Sequence, residues 1–215
     1  MSTQDPAPPS RLRADAVRSR RRVLDAAADL LGRDPEASME AVAARAGVGR
    51  TTVFRHFPTR AELVLASWLH VLTRAEAALA ELRLDEVPAE ESLRVLVGEL
   101  VGLAERWPLL FRGERPSIDD PELADASAGL EALVATTVER AVRAGALRDD
   151  LPGMLLKEAL LGLVQAVLIA GLRGPAAAEA ALGLLLRGAR RDHDRVAAGS
   201  RGPDGDDRSV PPRRE

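Results

Sequence analysis

The segment from residue 38 to residue 57, SMEAVAARAGVGRTTVFRHF, places the tightest constraint on how this chain folds. Ser38 can cap a short helix at its start, and Gly47 can end that helix in a tight turn. Ala43 is small enough to let a following helix cross closely, and Val48 is placed to pin the two helices together. The segment therefore predicts a helix-turn-helix.

The composition predicts that the rest of the chain is helical as well. Hydrophobic residues make up 46% of the sequence and aromatic residues only 2%, so the core has to be built from Leu, Val and Ala. Ala and Leu favour helices, whereas the β-branched and aromatic residues that favour strands are sparse. We expect an all-α protein with about nine helices.

Helix start and stop signals divide these helices between two domains. We predict a three-helix, helix-turn-helix domain over residues 17–60 and a larger helical domain over residues 61–192. Thr59 and Glu62 form a capping box for the long helix that would join the two domains. We predict a disordered arm over residues 1–16 and a disordered tail over residues 193–215, because these segments offer little to bury.

Several classes of function find no support in the sequence. The chain has no cysteine, which excludes disulfides, thiolate metal sites and cysteine nucleophiles. It shows no phosphate-binding loop, zinc-ligand spacing or nucleophile arrangement, so we expect neither an enzyme nor a bound metal or cofactor. No apolar signal segment opens the chain, and the longest apolar stretch, 159–172, is shorter than the roughly 20 residues that span a bilayer. We therefore expect a cytoplasmic protein without membrane contact.

Charge is unevenly distributed along the chain. The formal net charge is −3, yet residues 11–60 contain eleven arginines and six acidic residues. A basic amino-terminal end on an acidic body is expected where one end of a protein docks on phosphate. A solvated Arg-rich face would give the same distribution, so charge alone leaves both interpretations open.

The second helix of the helix-turn-helix would present one face to a partner. Val53 and Phe57 would lie on its buried face. Its opposite face would then carry Arg50, Thr51, Phe54 and Arg55. Arginine side chains on a short exposed helix can reach guanine edges in the major groove of DNA.

This region resembles the DNA-binding domain of the TetR family of bacterial regulators. The matching stretches are residues 22–28 (RVLDAAA), 42–48 (VAARAGV) and 52–58 (TVFRHFP), followed by Glu62-Leu63. They occur in the right order and spacing for the family. The resemblance implies an all-α regulator that binds DNA and that, as is usual in the family, acts as a repressor.

The resemblance also implies roles for individual residues of the DNA-binding domain. The residues at base-reading positions are Arg50, Thr51 and Arg55. The residues at positions that usually contact phosphate are Ser38, Thr52, His56 and Arg60. Phe54 stands where the family usually has Tyr, so its ring can pack on a sugar or a thymine methyl but cannot donate a hydrogen bond to phosphate. Two points stay open, because His56 could instead cap the helix end, and the arginines at 20–22 could reach phosphate or only decorate the first helix.

For the larger domain, the resemblance implies a homodimer and a small-molecule pocket. The homodimer would form through the last two helices, at about 154–171 and 176–190, although an intrachain core would also explain their apolar composition. The candidate pocket residues are Trp68, Trp107, Phe111, Met154 and Gln165, each of which could instead belong to the core. Because aromatic residues are few and these candidates carry no charge, we expect a mostly apolar effector.

Taken together, these features predict a ligand-responsive, sequence-specific DNA-binding repressor that a small molecule releases from a palindromic operator. Two alternatives fit the same motif. The chain could be a DNA-binding regulator or architectural protein without a ligand, or an interaction module whose helix-turn-helix no longer binds DNA.

Overall fold

Nine α-helices make up the part of the chain that the structure, a computed structural model, describes, namely residues 9–112 and 120–189. No strand occurs in these ranges, which confirms the prediction of an all-α fold. The helices are α1 (Pro9–Leu31), α2 (Met39–Ala46), α3 (Arg50–His56), α4 (Arg60–Glu81), α5 (Ala89–Arg106), α6 (Leu109–Arg112), α7 (Pro121–Arg143), α8 (Gly153–Ile169) and α9 (Gly174–Ala189).

Helix α1 is longer than the sequence predicted. It begins at Pro9, so residues 9–16 of the predicted disordered arm are helical in the structure. Proline suits the first turn of a helix, where its missing N–H would have no partner, and Leu12 and Ala14 favour the helical conformation. Extending an established helix also costs less than starting one. Residues 1–8 of the predicted arm and the predicted tail at 193–215 lie outside the described residues.

The turn between α2 and α3 has the geometry that its residues predict. Ser38 Oγ accepts a hydrogen bond of 3.1 Å from the N–H of Ala41 and so caps α2. Gly47 has φ 64° and ψ 39°, in the left-handed region that glycine adopts without steric cost. The N–H of Val48 donates to the carbonyl oxygen of Ala43 at 3.1 Å, which holds the start of α3 close to α2.

Helix α4 connects the helix-turn-helix to the larger bundle. The side chain of Thr59 accepts a hydrogen bond from the N–H of Glu62 at 3.2 Å and caps the helix as predicted. Among the described residues, the stretch 60–86 is long and apolar enough to cross a membrane by length and composition alone. Helix α4 packs against both α1 and α7, and this packing accounts for its apolar composition.

Helices α8 and α9 close the bundle and leave one apolar face uncovered. Helix α8 packs against α5, α7 and α9, which together cover most of its apolar surface. The exposed residues along its remaining face are Leu155, Ala159, Gly162, Ala166 and Ile169. Their spacing alternates between four and three residues, so they form a straight stripe along the helix, which we call the α8 stripe.

Candidate nucleic-acid interface and effector cavity

The outward face of α3 carries the side chains that the sequence placed there. Val53 is fully buried and Phe57 nearly so, and these residues fix the helix against the domain core. The residues exposed on the opposite face are Arg50, Thr51, Phe54 and Arg55. The phosphate-contact candidates Thr52 and His56 are half-buried at the edge of this face, so they border the exposed residues.

Arg50 has two neighbours that orient its side chain. Its Nη2 atom lies 2.8 Å from Oε1 of Glu40, at the start of α2. Its guanidinium carbon lies 5.2 Å from the centre of the Phe54 ring, one helical turn further along α3. The sequence analysis did not find Glu40, because the contact depends on how α2 and α3 cross and no local spacing signals it.

Other predicted DNA-contact residues also have structural partners. Ser38 is the cap of α2, and Arg60 donates a hydrogen bond to the carbonyl oxygen of Pro35 in the loop between α1 and α2. The guanidinium carbon of Arg20 lies 5.3 Å from the centre of the Phe57 ring. Arg20 is thus held next to the end of α3, which its sequence position alone did not reveal.

An ion-pair cluster ties α1 to α2 behind this face. Asp29 accepts a hydrogen bond of 2.8 Å from Nε of Arg33 and bonds of 3.1 and 2.8 Å from Nε and Nη2 of Arg45. Burial alone would raise the pKa of Asp29, but the hydrogen bonds and positive charges of Arg33 and Arg45 outweigh it and lower that pKa below its ordinary value of 3.8. Through Asp29, Arg45 therefore links α2 to α1.

The larger domain contains a cavity of about 460 Å³ lined by residues of α4, α5, α6, α7 and α8. Three of the five predicted pocket residues, Trp68, Phe111 and Gln165, line it. The other two do not. Trp107 is buried elsewhere, with the guanidinium carbons of Arg74 and Arg106 at 5.1 and 5.3 Å from its ring centre. Met154 is 73% exposed at the start of α8 and does not line this cavity.

The wall of the cavity is more charged than the sequence analysis expected. The ammonium group of Lys157, whose side chain is only 12% exposed, lies 3.1 Å from a carboxylate oxygen of Glu158 and 3.6 Å from one of Glu131. All three residues line the cavity. One side of the mostly apolar wall is therefore charged, and the sequence signal for it is the position of the chain's one lysine inside an apolar helix.

Helix α6 connects the cavity to the helix-turn-helix. The side-chain amide of Gln165 donates a hydrogen bond of 2.8 Å to the carbonyl oxygen of Phe111, which fixes α6 to α8. At its other end, α6 touches Gly32, which follows α1. A Cβ atom on Gly32 would lie 2.2 Å from the backbone nitrogen of Leu109 and 2.4 Å from the carbonyl carbon of Pro108. Only glycine permits this close approach of the two domains.

A polar contact joins the two domains at a second point. Nε2 of His70, on α4, lies 2.7 Å from Oδ1 of Asp25, on α1. Asp25 is also 3.9 Å from guanidinium nitrogens of Arg21 and Arg74. Helices α1 and α4 are thus joined by charged and polar groups as well as by apolar packing.

Comparison with known proteins identifies the family. The model of the bacterial regulatory proteins of the tetR family matches residues 23–67. The TetR-like transcriptional regulator LfrR from Mycobacterium smegmatis, solved in complex with proflavine, is 33% identical in sequence; the match covers 81% of this chain and 97% of LfrR, with a TM-score of 0.65. This chain belongs to the TetR family. Its membership confirms the resemblance and places it among bacterial transcriptional regulators.

A second match to LfrR and one further TetR-family structure extend the comparison. The chain is 40% identical over 109 residues to the HTH-type transcriptional repressor LfrR of Mycolicibacterium smegmatis, a match that spans 50% of this chain and only 56% of that repressor. The TetR-family protein CprB from Streptomyces coelicolor, solved in complex with its biological operator sequence, is 22% identical, with 85% of this chain and 93% of CprB covered and a TM-score of 0.65. At 22% identity, the similarity to CprB shows a shared fold and nothing more.

Proposed function

We propose that this TetR-family regulator is a repressor that binds a palindromic operator as a homodimer and releases it when a small molecule enters the cavity. The observation that carries the proposal is the exposed face of α3, which presents Arg50, Thr51, Phe54 and Arg55 above a buried core. Such a helix fits the major groove, where arginine pairs with guanine. The repressor role of LfrR supports the direction of regulation.

Selection of bound duplexes from a random pool tests DNA recognition directly. We expect a palindromic site with half-sites one or more helical turns apart, about 34 to 36 Å per turn. Arg50→Ala should then weaken binding by about 1 to 3 kcal/mol and relax the preference for one base pair in each half-site. Arg94→Ala, which removes an exposed arginine from α5, is the matched control and should bind as the wild type does. If Arg50→Ala leaves binding to every duplex unchanged, the helix-turn-helix does not read DNA through this residue.

The α8 stripe supports a homodimer. Ile169, at one end of the stripe, is 67% exposed, and Leu155, at the other end, is half exposed. Small residues between them would let a second α8 approach closely. Two subunits would place two recognition helices on the two half-sites of a palindrome. We therefore expect Ile169→Glu to give a monomer in analytical ultracentrifugation. Val17→Glu, at an exposed apolar position on α1, is the control and should remain a dimer. A monomeric wild-type protein would rule the dimer out.

The cavity supports a small-molecule effector. Its volume of about 460 Å³ lies within the range of typical ligand pockets. Leucine side chains and Trp68 offer apolar contact, while Lys157, Glu131 and Glu158 offer charged partners on one side. We expect an effector with a large apolar part and one polar or charged end, which makes the mostly apolar effector expected from the sequence more specific.

Contact through α6 offers a route from the cavity to DNA. An effector that displaces Phe111 or competes for the amide of Gln165 would shift α6, whose first residues touch Gly32 at the end of α1. Because no free space separates the backbones at Gly32, α1 would have to follow this shift. A different position of α1 in each subunit would change the separation of the two recognition helices, and coupling of this kind is typically worth about 1 to 3 kcal/mol.

Proflavine is the first probe for the effector site, because LfrR binds it. We expect a bound effector to raise the unfolding midpoint by mass action and to weaken operator binding. Leu130→Trp should fill part of the cavity and abolish both responses. Leu82→Trp changes a leucine of similar burial that lies outside the cavity lining, and it should retain both. If neither proflavine nor a broad compound library shifts the midpoint, the chain is a regulator without a ligand.

A further inference from the structure

We infer that Glu40 is a specificity-determining residue of the helix-turn-helix, which holds Arg50 in a base-reading position and keeps it from binding phosphate. The inference rests on the proposed function, since it assumes that Arg50 contacts DNA. It assigns a role in DNA recognition to a residue of α2 that has no place in the set of predicted contacts.

The geometry confines the Arg50 guanidinium from two directions. The Glu40 carboxylate engages Nη2 at 2.8 Å, and the guanidinium carbon lies over the Phe54 ring, 5.2 Å from its centre. An exposed arginine otherwise samples many rotamers. The carboxylate and the ring together restrict the orientations that this guanidinium can adopt. Reading guanine requires such a defined orientation, because the guanidinium donates two paired hydrogen bonds to the base edge.

Charge gives Glu40 its second effect. Phosphate contacts supply affinity without sequence information, and each one adds to the dependence of binding on salt. The carboxylate of Glu40 neutralises Arg50 locally, so this arginine gains less by binding a phosphate than a free arginine would. Because base edges offer directional hydrogen bonds, the confined arginine keeps its advantage there. Glu40 thus weakens binding to arbitrary duplexes and preserves binding to the operator.

The Phe54 ring supports this arrangement although it lacks the hydroxyl of the usual Tyr at position 54. A phenol at this position can bond to phosphate, whereas the phenyl ring offers only its faces. Here one face packs against Arg50. Phe54, which departs from the family pattern, therefore orients Arg50 and does not bond to phosphate.

The test compares Glu40→Gln with the wild type on the selected operator and on a shuffled duplex of equal length. The variant keeps the size of the side chain and removes its charge. We expect its affinity for the shuffled duplex to rise about fivefold or more, and the slope of log affinity against log salt to steepen by about 0.9, the value for one additional phosphate contact. Discrimination at the base pair read by Arg50 should fall at least about fivefold, the lower end of what one bidentate arginine–guanine pair contributes.

Glu36→Gln is the matched control, because it removes the same charge from an exposed position in the loop before α2. It should change affinity for both duplexes by the same factor and leave base discrimination intact. A second pair of variants tests the ring, since Phe54→Leu should lose discrimination and Phe54→Tyr should keep it. Equal unfolding midpoints for all variants show that the differences arise at the interface.

The outcomes separate this inference from the proposed function. If Arg50→Ala loses discrimination but Glu40→Gln behaves as Glu36→Gln does, Glu40 has no positioning role and the inference is wrong, while DNA reading by Arg50 stands. If Arg50→Ala has no effect on any duplex, Arg50 does not read DNA, and the role of Glu40 falls with it. Steeper salt dependence and weaker discrimination in Glu40→Gln alone support the positioning role.

Discussion

The proposed DNA-contact face and the proposed effector cavity differ in how many helices build them. The face is carried by two short helices whose crossing follows from the turn at Gly47, and its functional side chains extend into solvent. The cavity is lined from five helices, and several of its wall residues also belong to the hydrophobic core. Substitutions on the face should therefore alter DNA binding at little cost in stability, whereas substitutions in the wall should alter stability and effector binding together.

Trp68→Ala should produce the largest effect and show the cavity side of this contrast. The Trp68 side chain is almost fully buried, and its removal should lower the free energy of unfolding by about 3 to 5 kcal/mol in denaturant titrations. Arg55→Ala, on the exposed face of α3, should leave that free energy within about 0.5 kcal/mol of the wild-type value. A similar loss in both variants would break the contrast.

Gly32→Ala tests the point where the two regions meet. The new methyl group would collide with the backbone of Pro108 and Leu109, so we expect a loss of about 1 to 3 kcal/mol in unfolding free energy. Gly98→Ala, in the middle of α5, is the matched control, because a Cβ atom there would meet no other atom. It should stabilise the protein by about 0.5 to 1 kcal/mol, since alanine favours the helix over glycine. Full stability in Gly32→Ala would mean that α1 and α6 can separate freely.

Thr52→Val sharpens the DNA side of the contrast. It removes a hydroxyl at a proposed phosphate contact while it keeps the shape of the side chain. Affinity should fall by about 0.5 to 1.5 kcal/mol on every duplex, with base preference unchanged. Thr73→Val, on the exposed surface of α4, should bind DNA as the wild type does. A change in base preference would show that Thr52 reads a base and does not contact only phosphate.

Asp29→Asn should have the smallest effect, and that effect should depend on pH. Arg33 and Arg45 lower the pKa of Asp29, so its carboxylate stabilises the folded state fully above the ordinary value of 3.8, and this contribution is lost as pH falls through the lowered value. We expect the variant to be about 1 kcal/mol less stable at pH 7, and the difference from the wild type to shrink below about pH 4. Asp125→Asn, on the exposed side of α7, is the matched control and should leave the free energy of unfolding at pH 7 within about 0.5 kcal/mol of the wild-type value.

The sequence predicted contacts that depend on near neighbours and missed those that depend on packing. The caps by Ser38 and Thr59 and the turn at Gly47 follow from residues three or four positions apart, and the exposed side of α3 follows from its periodicity. Trp107 and Met154 lie outside the cavity, because the side of the bundle that a residue faces depends on how the helices pack. Glu40 went unnoticed for the same reason.

The α8 stripe has an internal symmetry with a consequence for assembly. Read from either end, it runs from a large residue through three small ones to a large residue, with Gly162 at the centre. In an antiparallel pair, Leu155 would face the partner's Ile169, and the two helices would come closest at Gly162. Such a palindromic stripe complements a copy of itself better than a foreign helix, so it would favour pairing with the same chain over pairing with other regulators in the cell. Gly162 also lines the cavity, so effector specificity and subunit choice would meet at one residue without a side chain.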